Sequence, residues 1–240
     1  MPVSYWACNR YLRTGLRFTL TVIITVSCLS SPVWGKERSR IYPALFGSTE
    51  KMFPDTGLFP KWSDMLKRLI RFNALSVVPC RRVLHLNFCE IQAWTTFTET
   101  LRGGKKMAVL DAVNHFINKY PYVLDIANYG VDDYWATPQE HVTNGGDCED
   151  YAIAKYITLR RLGFLPSDMR VVILNDLDLK VQHAVLAVYI GGKAYILDNQ
   201  TARVQPSTLI YHYQPIYSIT EGAWWMHFTA PHTSLSAARH

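Results

Sequence analysis

Apolar residues recur at helical spacing in two clear stripes. Trp62, Met65, Leu66, Leu69 and Phe72 predict a helix over Trp62–Leu75. Met107, Leu110, Val113, Phe116 and Ile117 predict a second over Lys105–Tyr120, stopped by Pro121. Between them, residues 76–104 read two ways. Val77, Val78, Val83, Leu84, Leu86 and Phe88 favour short strands, while Glu90–Leu101 favours a helix ended by Gly103-Gly104. Tyr134–Asp147, with Pro138 and two glycines, reads as irregular. From Cys148 to about Leu162 the chain is apolar on most faces, which predicts a central, buried helix capped by Gly163.

Beyond that helix the pattern becomes strand-like. Arg170–Leu174, His183–Ile190 and Lys193–Asp198 are predicted strands, the last two joined at Gly191-Gly192, a two-residue hairpin signal. Pairing Ile190 with Lys193 and counting back puts Asp198 diagonally across from His183 on the same face. As the opening residue of an apolar strand, His183 is expected to point toward the central helix. Val204–Ser218 and Trp224–Phe228 read as edge strands, and residues 36–60, with their Pro, Gly and aromatic content, as a surface wrap. Helices first and an antiparallel sheet afterwards make an α+β chain.

Composition narrows the class. The chain has 240 residues, 49% of them hydrophobic, enough for one domain with a real core plus a targeting segment. Part of the net charge of +6 lies at the start, in Arg10, Arg13, Arg17, Lys36, Arg38 and Arg40. No basic run is interleaved with aromatics, which argues against nucleic acid. Phe18–Leu29 is apolar but short for a membrane span, Ser30-Ser31-Pro32 breaks it, and Val33-Trp34-Gly35 offers a cleavage-type site. Residues 1–35 are therefore expected to be a secretory signal and 36–240 the domain, with an uncleaved anchor as the alternative. Cys8 and Cys28 fall in the signal. Export would allow Cys80 and Cys89 to pair, although spacing alone does not establish it. Cys148 would then be the unpaired thiol.

The candidate chemistry centres on Asn144-Gly145-Gly146-Asp147-Cys148-Glu149-Asp150. A thiol at a helix N-terminus gains from the partial positive charge there. His183 is the candidate base, with His141 as the fallback, and Asp198 would orient the imidazole. The Cys148 N–H is a natural oxyanion donor, and Trp135 or Gln139 is a conceivable second one. Asp147, Glu149 and Asp150 are two-sided. Unpaired, they oppose a thiolate. Neutralised by a hard cation such as Ca²⁺ or Mg²⁺, they do not. A plain helix start enriched in acids explains them equally well. Asp132 and Asp133 are further oxygen candidates, whereas Asp176 and Asp178 read as solvated turn residues.

At these residues the chain resembles a known family. Asp133–Glu140, Gly146–Tyr156, Gln182–Leu186 and Ile196–Asn199 are similar, in order and spacing, to the bacterial transglutaminase-like cysteine proteinases of the LapG type. The resemblance covers roughly residues 105–228. It implies a papain-like, transglutaminase-like fold and a periplasmic endopeptidase that needs Ca²⁺. It further implies cleavage of the N-terminal region of a large surface adhesin, with biofilm dispersal, and an inner-membrane cyclic-di-GMP receptor that sequesters the protease. By position, it makes Cys148, His183 and Asp198 the triad and Asp147, Glu149 and Asp150 the calcium ligands. The segment Cys80–Cys89 departs from the family's helical N-terminal part. A transglutaminase or peptidoglycan amidase using the same triad, and a calcium-dependent binding module with a vestigial one, are the competing readings.

Overall fold

In a computed structural model of the protein, residues 42–73, 79–83 and 85–229 are described. The expected export segment, with Cys8 and Cys28, lies outside them, as do Leu75, Val77, Val78 and Leu84.

Among the described residues, six helices precede most of the sheet. The first, α1 (Pro60–Asn73), starts on a proline, whose missing N–H costs nothing at that position. It buries Trp62, Met65 and Leu69, and the Trp62 ring meets Trp135 and Tyr156 edge-on at 6.2 and 5.5 Å. Among the described residues of 76–104, strands and helix are realised in succession. The strands β2 (Arg82–Val83) and β3 (Leu86–Asn87) form a short hairpin that runs into α2 (Phe88–Thr100), where the Asn87 side chain accepts the Cys89 N–H. A Cys80–Cys89 disulfide ties the approach to this hairpin to the first turn of α2. The amphipathic helix α3 (Lys106–Ile117) follows as expected, and after Pro121 comes the single turn α4 (Asp125–Asn128).

The expected irregular stretch before Asp147 instead contains a helix, α5 (Pro138–Asn144). Thr137 and Glu140 cap it reciprocally, each side chain taking the other's backbone N–H. Arg68 of α1 pairs with Glu140 and donates to the Trp135 carbonyl at 2.6 Å, which fixes the segment ahead of α5. The central helix α6 (Cys148–Arg161) is buried from Asp150 through Leu159.

The remaining strands are β4 (Met169–Asp176), β5 (Val181–Ile190), β6 (Lys193–Leu197), β7 (Gln205–Pro206), β8 (Tyr213–Ile219) and β9 (Trp224–Phe228). They join β1 (Thr49–Phe53) in one antiparallel sheet of order β1-β9-β8-β4-β5-β6-β7. Two expectations are corrected here. Within the predicted Val204–Ser218 stretch β7 does form one edge, but β8 lies inside the sheet, as does β9, and the other edge is supplied by β1, from the segment read as a surface wrap. Strand β1 pairs with a strand far away in sequence, a contact that no local pattern announces.

Both faces of the sheet are covered. Val171, Leu186, Val188 and Leu197 pack with the α6 side chains, while Val172, Leu174, Val185, Ala187 and Ile196 build a second cluster on the other face. Double coverage explains why β5 reads as a continuous apolar run rather than an alternation. The hairpin register is as counted, with Ile190 opposite Lys193 and Leu186 opposite Leu197. Gly191 and Gly192 sit at φ 58° and 77°, the left-handed conformation that such a turn requires. Asp176 is buried and accepts the N–H groups of Asp178 and Leu179, so it shapes the β4–β5 turn and is not a solvated residue; Asp178 is exposed.

Candidate active site

The cysteine's position is set by its glycines. Gly145 has φ 77°, and a Cβ there would lie 2.3 Å from the Pro121 carbonyl oxygen. This close approach lets Tyr122 bridge to Gly146 and Val123 donate to the Gly146 carbonyl at 3.0 Å. Asp147 is extended, and the helix begins at Cys148. The thiol therefore stands at a helix N-terminus, half-buried, among the residues of a cleft of about 310 Å³. Tyr122, Asp133, Trp135, Gln182, His183 and Tyr217 share that cleft.

His183 and Asp198 form a buried pair, with Nε2 of the ring 2.9 Å from Oδ1 of the carboxylate. Tyr213 donates to Oδ2 at 2.5 Å and the Gln200 N–H to Oδ1 at 2.9 Å. Burial alone would raise the Asp198 pKa. The donors, His183 first among them, outweigh it and hold the carboxyl below its ordinary value. The diagonal relation counted from the hairpin is realised, but the expected facing of His183 is not. It alternates with Val185 and Ala187, on the side away from α6. It meets the cysteine's cleft past the last β5–β6 pair, where the strand end lies level with the start of α6.

The other candidates sort cleanly. His141 is fully buried against the rings of Tyr120 and Tyr151, and burial pushes its pKa down to about 3, so it is a neutral core histidine. Trp135 lines the cleft. Gln139 faces elsewhere, its amide donating to Asn73 at 3.3 Å.

Around the thiol lies a dense acidic cluster that includes a residue the sequence reading passed over. Asp125, at the first turn of α4, joins Asp147, Glu149, Asp150 and Asp133. The sets Asp125–Asp147–Asp150 and Asp125–Asp133–Glu149 each bring carboxylate oxygens within 4.8 Å of one another. A lone acid in the apolar run around Leu124 and Ile126 carried no spacing signal; only the fold brings it to the cysteine. Burial first, then mutual repulsion, raises all four central carboxyls: Asp125 to about 6, Asp147 to about 8, and Glu149 and Asp150 upward. The same forces push the Cys148 thiol up, and it donates to Glu149 Oε2 at 3.2 Å. Oδ1 of Asp125, Oδ1 of Asp147 and Oδ2 of Asp150 are buried without a hydrogen-bond partner among the described residues. Three carboxyl groups grouped in this way, each with an orphaned oxygen, fit a hard divalent cation such as Ca²⁺, which takes oxygen ligands and would oppose these upward shifts.

Gly146 belongs to this arrangement. A Cβ on it would fall 2.2 Å from Asp150 Oδ2. Gly146→Ala is therefore expected to displace that carboxylate and weaken cation binding at least tenfold, as read by calcium titration in a calorimeter. Unchanged affinity would remove Asp150 from the site.

The profile of the bacterial transglutaminase-like cysteine proteinases matches residues 80–233. The chain belongs to this family. Among solved structures it is similar to Legionella pneumophila LapG, with 27% identity and a TM-score of 0.56 over 66% of this chain and 87% of that one. It is likewise similar to the calcium-bound form of LapG (29%, TM-score 0.56, covering 70% and 92%) and to the EGTA-treated form (27%, TM-score 0.57, covering 67% and 86%). No curated protein matches it. The protein is thus a LapG-type cysteine peptidase with the α+β, transglutaminase-like fold. The family match begins at Cys80, so the disulfide segment, expected to depart from the pattern, falls within it.

Proposed function

We propose that this peptidase is a calcium-dependent periplasmic endopeptidase that cleaves the N-terminal region of a large surface adhesin. The observation that carries the reading is that Cys148, at a helix start, shares one cleft with His183, whose ring is paired with Asp198 behind it. Asp198 engages Nε2, which leaves Nδ1 as the ring nitrogen for the thiol proton. In this scheme His183 takes that proton, and the sulfur attacks the scissile carbonyl carbon. The Cys148 N–H stabilises the resulting oxyanion. The imidazolium then protonates the leaving amine, and a thioester remains. The imidazole next takes a proton from water, which attacks the thioester and returns the sulfur.

Asp125, Asp147, Glu149 and Asp150, with Asp133 at the rim, would hold Ca²⁺. The ion supplies positive charge beside the nucleophile, offsetting the carboxylates that otherwise keep the thiol protonated. Support for the calcium dependence includes the calcium-bound and EGTA-treated forms of the LapG that this chain resembles. The apolar segment Phe18–Leu29 and the Cys80–Cys89 bridge suit export to an oxidising compartment. Sequestration by an inner-membrane cyclic-di-GMP receptor, and biofilm dispersal when the adhesin is released, complete the proposal; they rest on the family resemblance.

The test is incubation of the protein with adhesin N-terminal fragments, with calcium and with a chelator. Discrete cleavage products are expected with calcium and none with the chelator. Cleavage that persists in chelator would refute the calcium requirement, and fragments left intact under both conditions would refute the adhesin substrate.

A further inference from the structure

The segment that leads into α5 is gripped from the acidic cluster. The Tyr134 N–H donates to Asp125 Oδ2 at 2.5 Å, and the Ala136 N–H donates to Asp150 Oδ1 at 2.6 Å. Trp135 stands between the two grips. Its carbonyl is fixed separately by Arg68 of α1 at 2.6 Å. The residue itself lines the cleft that holds Cys148 and His183, so this short segment is one wall of that cleft.

Asp125 and Asp150 are both buried, and each has an oxygen to spare. The oxygens that do not hold the wall, Oδ1 of Asp125 and Oδ2 of Asp150, are the ones left without a hydrogen-bond partner among the described residues. Both carboxyls meet Asp147, with carboxylate oxygens of the three within 4.8 Å of one another. Each side chain is therefore two-ended, with one oxygen on the backbone of the wall and the other orphaned. The two oxygens of a carboxyl lie in one rigid plane, so what fixes one fixes the other. Gripping two amides gives no reason to crowd a third acid beside them, because like charges at that spacing repel. A cation among the orphaned oxygens gives one, and the two N–H groups are then the outer partners that ligating carboxylates ordinarily have.

We propose that Asp125 and Asp150 are positioning residues for Trp135, each anchored by a bound cation at one oxygen and placing the cleft wall with the other. Without the cation, repulsion drives the three carboxyls apart and both grips loosen, while Arg68 still holds the Trp135 carbonyl. Occupancy of the cation site is thereby expressed in the shape of the cleft, in addition to the charge placed beside the sulfur. Substrate fit and calcium become coupled through four hydrogen-bonding atoms: the Tyr134 and Ala136 nitrogens and the two oxygens they meet. The inference rests on the cation site proposed above and does not rest on cleavage.

The experiment follows the two amides directly and needs no substitution. Hydrogen exchange is measured by NMR on the whole protein, with calcium and with a chelator, beside a calorimetric calcium titration. The amides of Asp178 and Leu179 are the control, since they also donate to a buried carboxylate, that of Asp176, but at the β4–β5 turn. Calcium is expected to slow exchange at Tyr134 and Ala136 by at least about tenfold more than at the control pair. Equal slowing at all four, with calcium bound, would reduce Asp125 and Asp150 to ligands alone and overturn the proposal. A second readout reaches the cleft. In protein labelled with 5-fluorotryptophan, the Trp135 signal, identified by its loss in Trp135→Phe, is expected to shift in step with calcium binding. The signal of Trp94, whose indole N–H is bonded to Thr158, is expected to stay in place. A Trp135 signal that stays put while calcium binds would also overturn the proposal, because the wall would not have followed its backbone. Absence of calcium binding in the calorimeter would remove the cation site and this inference together, so the two failures are told apart.

Discussion

Cys148→Ala is expected to lower turnover by at least about 10⁴-fold while leaving the fold intact. Losses of that order follow when the nucleophile of a covalent mechanism is deleted and only binding and oxyanion stabilisation remain. The stability change should stay within about 1 kcal/mol, since a half-buried side chain at a helix start loses few contacts. The check is the rate of product appearance against a calcium-supplied control, together with a denaturant melt. A variant that retains a tenth of the native rate would remove Cys148 from the chemistry.

The second large effect is the pH dependence of the response to calcium. Without a cation, the folded chain holds Asp125 at about 6 and Asp147 at about 8, against an ordinary value of 3.8. The folded state then binds protons more tightly than the unfolded one. The contribution of these groups is fully present below the ordinary carboxyl value and is lost as pH rises through about 6 and then about 8. A divalent ion competes for the deprotonated oxygens, so its stabilisation grows over the same window. The melting temperature in chelator should fall from pH 5 to pH 8, and the gap to the calcium-supplied sample should widen steadily. Melting curves in both conditions across that range decide the matter. A gap that is absent, or constant with pH, would sink the cation site.

Much of this was legible before any coordinates. The helix from Cys148, the hairpin at Gly191-Gly192 and the diagonal of His183 and Asp198 rest on local rules of period, turn chemistry and register, and those rules held. The errors share a physical cause. Pro138 and the two glycines were read as breakers, yet Thr137 and Glu140 stand at capping-box spacing and Pro138 opens the helix between them. His183 turned out to alternate with the far-side residues because both faces of the sheet are buried, which removes the contrast that normally reveals facing. Strand β1 and Asp125 were invisible because their roles exist only through partners distant in the chain.

Protein families ordinarily gain and lose residues at surface turns, where length is cheap to vary. The turn at Gly191-Gly192 is a place where that freedom is closed. One inserted residue would carry the far arm of the hairpin a single step along, and a step of one presents every side chain to the opposite side. The acid that steadies the ring would then look the wrong way, although nothing lining the cleft had been altered. Descendants of this chain can redecorate that bend but not lengthen it by one.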